Sequence, residues 1–345
     1  MNKISIKSEL EKTQSENAKF ITLPFYFHGV PLESTDSEKH ARWGMTLLQA
    51  GTMRFRWNET NENRDKMLKE IFAEIKKPVC SGNCSSDEGI CDCKLKPAPI
   101  ELIHSKIVVE AKNEGDTKGL QADGIVTKNP LLVPTVTVAD CVPIFLYDKE
   151  TKAIGAFHSG WKGTGIAGVG VEKFAELYGS KRENISAAIG AHIGDCCYFV
   201  DEERTEYFMK NFGENCVKKA EEGRWLSASK PQSKEETESR RLSSCVREAN
   251  CKLQNSTSKD KDLIEKFPYR LSLTEANLFV LKNAGIREEN IVVAEDCTCC
   301  TKFASGENVF GSFRRQAAFL PPEISPDERS RSMTVQAAFV ISNEK

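Results

Sequence analysis

The chain has 345 residues, 39% of them hydrophobic, with 48 lysines and arginines against 50 aspartates and glutamates. A formal charge of −2 provides no electrostatic footprint for nucleic acid or an anionic membrane surface. No apolar run reaches the roughly 18 residues of a membrane span, and MNKISIKSELEKTQSENAKF has no apolar signal core, so a cytoplasmic chain with reduced thiols is expected.

Residues 20–60 mix apolar and polar segments. NENRDKMLKEIFAEIKK (61–77) then shows the polar start and apolar spacing of an amphipathic helix. CSGNCSSDEGICDCKLKPAP (80–99) is polar and cysteine-dense and reads as an insertion over 80–98. Its Cys80, Cys84, Cys91 and Cys93 have the composition of a metal knuckle, but the C-x3-C-x6-C-x-C spacing is irregular and suits a surface loop as well. From 101 to 200, apolar strands alternate with turns: ELIHSKIVVEA, ADGIVT, LLVPTVTV, VPIFLYD (142–148) and AIGAFHS (153–159). GTGIAGVGVEKFAELYG (163–179) reads as a turn opening into a helix, and NISAAIGAHI (184–193) as a strand. Residues 217–262 are charged and serine-rich and read as a second, solvated insertion. A helical pattern over PYRLSLTEANLFVLKNAGI (268–286) ends at Gly285. ENIVVAED and TVQAAFVIS (334–342) follow as strands, and there is no internal repeat.

The two runs VPIFLYD and AIGAFHS flank the polar DKETK and predict a hairpin. A turn centred on Lys149 and Glu150 would oppose Cys141 and His158, with Cα atoms about 4.5–5.5 Å apart. His104, just before KIVVE (106–110), is a third candidate. Zinc takes histidine nitrogen and cysteine sulfur, and catalytic sites keep three protein ligands and one open position. The alternatives are a small core cysteine with hydrogen-bonded histidines, or a nucleophile–base pair in which Cys141 is activated by His158 as in a cysteine hydrolase. SGWKGTGIAG (159–168) would let backbone approach a ligand and open a helix whose first N–H groups face an anion. Lys162 would add charge and Trp161 a flat apolar face. The spacing is neither a P-loop nor a dinucleotide fingerprint, and it equally suits a turn that closes a strand–helix connection.

Several segments stand together in one order: LIH (102–104), VADCVPI (138–144), HSGWKG (158–163), GAHIGDCCYFV (190–200), RLSLTEAN (270–277), CTCC (297–300) and FGSFRRQAA (310–318). In these the chain resembles the laccase-domain, or polyphenol-oxidase-like, family, which is associated with purine nucleoside phosphorolysis. The likeness spans 100–200 and 268–342 and is faint before residue 80. The family's T-R-x-G-G-V-S segment has only FHGVPLES (27–34) as counterpart, without the arginine. Ser272 stands at its RLDL aspartate, and Leu102 at the glutamine before the site histidine.

The resemblance implies an α/β fold, a single domain over 1–345 with mixed β-sheets and helices packed outside. It implies that His104, Cys141 and His158 ligate a metal, zinc or alternatively copper, and that Lys162 and Arg314 are basic groups near the active site. The implied activities are phosphorolysis of adenosine, inosine and methylthioadenosine, and adenosine deamination. Zinc there would lower the pKa of a bound water to about 7. Asp140 would carry a proton or orient a ligand, and Lys162 and Arg314 would hold inorganic phosphate. Expected partners are purine nucleosides and phosphate, without nucleic acid or membrane, in a monomer or small homo-oligomer. Five histidines cannot build a multicopper oxidase, which leaves a single-copper polyphenol oxidase as the rival. Cys196, Cys197, Cys299 and Cys300 read as buried thiols, and His192 as loop structure.

Overall fold

The computed structural model describes residues 1–13, 15, 17–35, 38–76, 94–220, 267–318 and 320–343. In chain order, β1 (Asn2–Ile4), α1 (Ile6–Lys12), β2 (Phe20–Pro24), β3 (Tyr26–Phe27), β4 (Val30–Pro31), β5 (Arg42–Thr46) and α2 (Glu62–Lys76) make up the N-terminal part. The central part holds β6 (Lys96–Pro99), β7 (Val108–Glu110), β8 (Gly124–Thr127), β9 (Leu132–Val138), β10 (Val142–Asp148), β11 (Ile154–Ser159), α3 (Ile166–Tyr178) and β12 (Ile185–Ile189). It is followed by β13 (Phe199–Val200), α4 (Glu202–Phe212), β14 (Val217–Lys219) and β15 (Tyr269–Leu271). The chain closes with α5 (Leu273–Asn283), β16 (Ile291–Ala294), α6 (Phe313–Gln316), α7 (Pro326–Arg331) and β17 (Gln336–Ile341).

Two mixed sheets carry the molecule, one of seven strands in the order β1-β16-β12-β10-β11-β8-β7 and one of five in the order β2-β5-β17-β9-β6. They pack face to face. Phe145 and Tyr147 of β10 point toward the second sheet and join Trp43, Met45, Val136 and Val340 in one core. Ile144 and Leu146, one residue out of phase, point the other way into a core with α3, α4 and α5. A third core lies beneath α2, where Leu68, Ile71 and Phe72 cover Phe339 and Ile341 on the outer face of the five-stranded sheet. The result is four layers, helix–sheet–sheet–helix, an α/β fold with mixed sheets and helices outside. Because β10, β12 and β16 are covered on both faces, their sequences read as unbroken apolar runs rather than as alternation.

Several boundaries differ from the sequence reading. Lys96–Pro99 is not insertion but the edge strand β6, parallel to β9; an edge position tolerates its two prolines. Val217–Lys219 likewise is the edge strand β14, paired with β15, whose lysines face out, so the second insertion begins beyond it. Cys80, Cys84, Cys91 and Cys93 and the segment 221–262 lie outside the described residues. Within 268–286 the helix starts only at Leu273. Tyr269–Leu271 is strand, and Ser272 caps the helix, its Oγ accepting from Glu275 N–H at 3.2 Å. Serine thus performs the capping that an aspartate there would. The short β1 and α1, unread in the sequence, dock on β16 and on Asp296, whose carboxylate accepts from Ser5 Oγ and the Ile6 and Lys7 N–H groups.

Candidate metal centre

The hairpin forms, but in a shifted register. Val142 opposes Ser159 and Pro143 opposes His158, two residues from the predicted pairing of Cys141 with His158. Asp148 causes the shift. Its Oδ1 accepts from the N–H of Glu150 and Thr151, Lys152 turns with φ 62°, and the loop closes between Asp148 N–H and the Ala153 carbonyl. A shift of two preserves the side-chain parity, so Cys141 and His158 become diagonal neighbours on one face, still within side-chain reach. His104 joins them from the loop before β7. Its ring meets that of His158 edge-on at 4.8 Å, and one donor atom of each of the three residues lies within 4.8 Å of the others. His158 is buried, Cys141 half-buried and His104 exposed, so the cluster has one open side.

Asp123, absent from the sequence-derived candidates, organises the cluster. It is fully buried at the start of β8. Its Oδ1 accepts from His158 Nδ1 at 2.8 Å and from His104 N–H at 3.0 Å, while its Oδ2 accepts from Ser105 N–H and Oγ. An ionised carboxylate only accepts, so Nδ1 of His158 carries the proton and Nε2 is the nitrogen left for a ligand. Burial works against the charge on Asp123, but the bonds from His158 and Ser105 outweigh it and hold the carboxyl below its usual range. His104 itself sits at φ 59°, a left-handed backbone that these bonds enforce. The only sequence signal for Asp123 was an acid directly before a glycine at a strand start, which is common in turns.

Gly160 explains the glycine after the histidine and serine. A Cβ there would lie 2.8 Å from His104 Cδ2 and 3.4 Å from both Cys141 Sγ and His158 Cε1. Only glycine lets the backbone border all three groups. Burial opposes ionisation of Cys141, yet His158 and His104 overcome it and bring the thiol down to about 6. Burial likewise disfavours charge on His158, but Cys141 and Asp123 raise its imidazole to about 9. Two nitrogens and a thiolate converging with one open side fit a zinc or copper ion, and a carboxylate behind a histidine is the usual support for such a ligand.

Three other sequence candidates, Trp161, Lys162 and Arg314, form a wall with Arg204 and Tyr198, and Tyr198 lies near enough to feel the charge of Cys141. Arg204 stacks 4.6 Å over the Trp161 ring and donates to Tyr198 Oη at 3.3 Å, while Arg314 lies 5.7 Å from the Tyr198 ring centre. Lys162 is exposed and 5.3 Å from the Trp161 ring centre. Burial, with the charge of Cys141 adding to it, raises the Tyr198 phenol. Lys162 and Arg314 are thus linked through Trp161, Arg204 and Tyr198. Asp140 is engaged away from the three candidate ligands. Its carboxylate accepts from Thr298 Oγ1 at 2.7 Å and from Arg314 N–H at 2.6 Å, so it ties down the C-terminal segment, and the hydrogen bond that orients a ligand histidine comes from Asp123. Burial raises its carboxyl to about 6. His192 spans Gly190 O and Thr274 Oγ1 at 2.8 and 2.9 Å, a structural role.

A family model described as multi-copper polyphenol oxidoreductase laccase matches residues 92–232, which include all three candidate ligands. Over this segment, which is less than half of the chain, the protein is similar to the laccase-domain family. Among similar proteins, a purine nucleoside phosphorylase of Clostridium acetobutylicum is 36% identical over 111 residues, covering 32% of this chain and 46% of that protein. The Bacillus subtilis purine nucleoside phosphorylase YlmD is 29% identical over 196 residues, 56% of this chain and 53% of its own length. The human purine nucleoside phosphorylase LACC1 is 37% identical over 97 residues, 28% of this chain and 22% of that protein. The chain therefore spans about half the length, or less, of these curated relatives. The crystal structure of Bacillus licheniformis hypothetical protein YfiH matches the fold at TM-score 0.58 and 20% identity, covering 87% of this chain and 92% of that one. YlmD from Geobacillus stearothermophilus matches at TM-score 0.56 and 19% identity, covering 93% and 100%.

Proposed function

We propose that this chain is a purine nucleoside phosphorylase of the laccase-domain family that also deaminates adenosine, with zinc held by His104, Cys141 and His158. The observation that carries the reading is the open metal site beside a wall of cations and aromatic rings. An anion and a flat base are what such a wall accommodates. Inorganic phosphate, held by Arg314 and Lys162, attacks C1′ of the ribose while the glycosidic bond breaks and its electron pair leaves with the purine. Trp161 and Tyr198 supply the faces against which the base packs. Zinc, when bound, supplies Lewis acidity at the open side of the cluster. Asp123 fixes the tautomer and ring of His158, and Asp140 positions Arg314 through its backbone. In deamination Asp140, with its oxygens already engaged, is a positioning residue rather than the proton carrier. The relatives named as purine nucleoside phosphorylases support the substrate class. We further take the enzyme to be cytoplasmic and a monomer or small homo-oligomer; no helix among the described residues is long and apolar enough to cross a membrane.

The deciding experiment follows phosphate-dependent release of hypoxanthine from inosine together with elemental analysis. Wild type should carry zinc and turn over, Cys141→Ala should lose both, and Arg314→Ala should keep the metal at the three-ligand site while KM for phosphate rises at least tenfold. Copper in that site, with phenol oxidation and no phosphorolysis, would overturn the reading in favour of a polyphenol oxidase. One specific observation favours a second reading. Without metal, Cys141, His158 and Asp123 form the nucleophile, base and orienting acid of a cysteine hydrolase. Prompt alkylation of Cys141 in protein incubated with excess zinc would move the assignment there.

A further inference from the structure

Cys196, Cys197, Cys297 and Cys300 bring their sulfurs within 4.8 Å of one another, in a group distinct from the three-ligand cluster. Cys196, Cys197, Cys299 and Cys300 read in the sequence as buried thiols; the structure leaves Cys196 and Cys300 half-buried and brings Cys297 to the group. Two loops supply the four. One is the turn between β12 and β13, where Cys197 and Tyr198 N–H both bond the Gly194 carbonyl. The other is the turn after β16, where Cys300 and Thr301 N–H both bond the Cys297 carbonyl. His192 and Cys297 form a bridge between the loops, and Gly194 N–H donates to Cys297 Sγ at 3.2 Å. A Cβ on Gly194 would lie 3.1 Å from Cys196 Sγ and 3.3 Å from Cys297 Cβ, so a larger residue would press on both cysteines.

We propose that these four cysteines form a second metal site, a tetrathiolate that holds one zinc ion structurally once Cys300 is reduced. The geometry is that of zinc–sulfur coordination. Bonds of about 2.3 Å place tetrahedral sulfurs about 3.8 Å apart, and Cys196 Sγ and Cys300 Sγ stand at 3.8 Å. Cys297-x2-Cys300 on a tight turn is the spacing of a zinc knuckle, and a backbone N–H to sulfur bond supports a thiolate there. The local charge is arranged for it as well. Arg315 donates to the Thr298 and Cys299 carbonyls at 3.0 and 2.6 Å, which sets its guanidinium beside the cluster. Four thiolates at this spacing need a cation between them.

Cys196, Cys197 and Cys297 carry thiols, whereas Cys300 stands in a disulfide. A two-electron dithiol reductant opens that disulfide to two thiols and is itself oxidised. Zinc then forms four bonds to sulfur as the remaining cysteine protons leave, with no further electron transfer. The ion would clamp the two loops that carry Tyr198 and Thr298 and so support the wall beside the first site.

The test is made on the full chain purified in dithiol and loaded with zinc. Elemental analysis should find two ions per chain, and one in Cys141→Ala. Cys196→Ser and Cys297→Ser should each retain one. In wild type, peptide mapping after alkylation should show Cys196, Cys197, Cys297 and Cys300 protected until chelator is added. Should either serine variant fail to fold, the wild-type protection map and the Cys141→Ala stoichiometry decide. A single ion per chain in reduced wild type, or a second ion with all four cysteines alkylated at once, would overturn the proposal. So would protection confined to Cys80, Cys84, Cys91 and Cys93. None of these outcomes depends on catalysis.

Discussion

Asp123 shows what one residue does at a site it does not itself complete. Replacing it with asparagine would leave an oxygen for some of the backbone N–H groups but present an amide N–H to His158 Nδ1. The imidazole would then favour the tautomer with its proton on Nε2, the nitrogen needed for metal. Asp123→Asn should weaken zinc binding at the three-ligand site by about 10–100-fold. Competition with a chelator of known affinity checks this, and unchanged affinity would return Asp123 to a purely structural role. His104, Cys141 and His158 stand out in the sequence as candidates because their segments carry the likeness to the laccase-domain family. Asp123 does not, because its partner His158 lies 35 positions away and nothing local distinguishes it from a turn aspartate.

At the scale of elements, glycine and carboxylate placement carry testable consequences. Gly124 of β8, Gly155 of β11 and Gly170 of α3 all face the ring of Phe157, and a Cβ on Gly170 would fall 2.4 Å from its Cζ. In an exposed helix, glycine to alanine stabilises by about 1 kcal/mol. Here the close approach of α3 to the sheet reverses the sign, and Gly170→Ala should destabilise by about 1–3 kcal/mol in denaturant unfolding. The loop leading to His104 is held by Glu101, which accepts from Trp57 N–H at 3.0 Å and from Arg56 and Gln121. The Trp57 N–H is the main cause that holds its carboxyl below the usual range. Because the folded carboxyl titrates below its unfolded value, its contribution is complete above the unfolded pKa and is lost as pH falls through the folded one. Glu101→Gln should therefore remove about 1 kcal/mol at neutral pH and flatten the acid limb of the stability–pH curve. An acid limb as steep as wild type would show that Glu101 is not one of its causes.

For the molecule as a whole, the contact between the two sheets is the critical one. Phe145 of β10 stacks on Trp43 of β5 with ring centres 5.5 Å apart, both fully buried. The hairpin that carries Cys141 and His158 is therefore anchored to a strand about a hundred residues earlier in the chain. Phe145→Ala should cost about 3–5 kcal/mol. It should also loosen zinc at the first site, because β10 begins one residue after Cys141. A drop in Tm with zinc affinity unchanged would show that the hairpin holds its shape without the inter-sheet stack.

The sequence by itself determined most strands and the one α-helix between 101 and 200, the hairpin and the likeness to the laccase-domain family, which names the three candidate ligands. Each of these is written in local residue type and spacing. It did not determine the hairpin register, which Asp148 set by capping its own turn, nor the edge strands Lys96–Pro99 and Val217–Lys219, whose prolines and lysines read as loop. It also left Asp123 behind the ligands, the Arg204–Tyr198–Trp161 wall and the gathering of Cys297 with Cys196, Cys197 and Cys300 to the tertiary structure. Those depend on groups far apart in the chain that meet only when two sheets and their helices pack, and no window of sequence contains both partners.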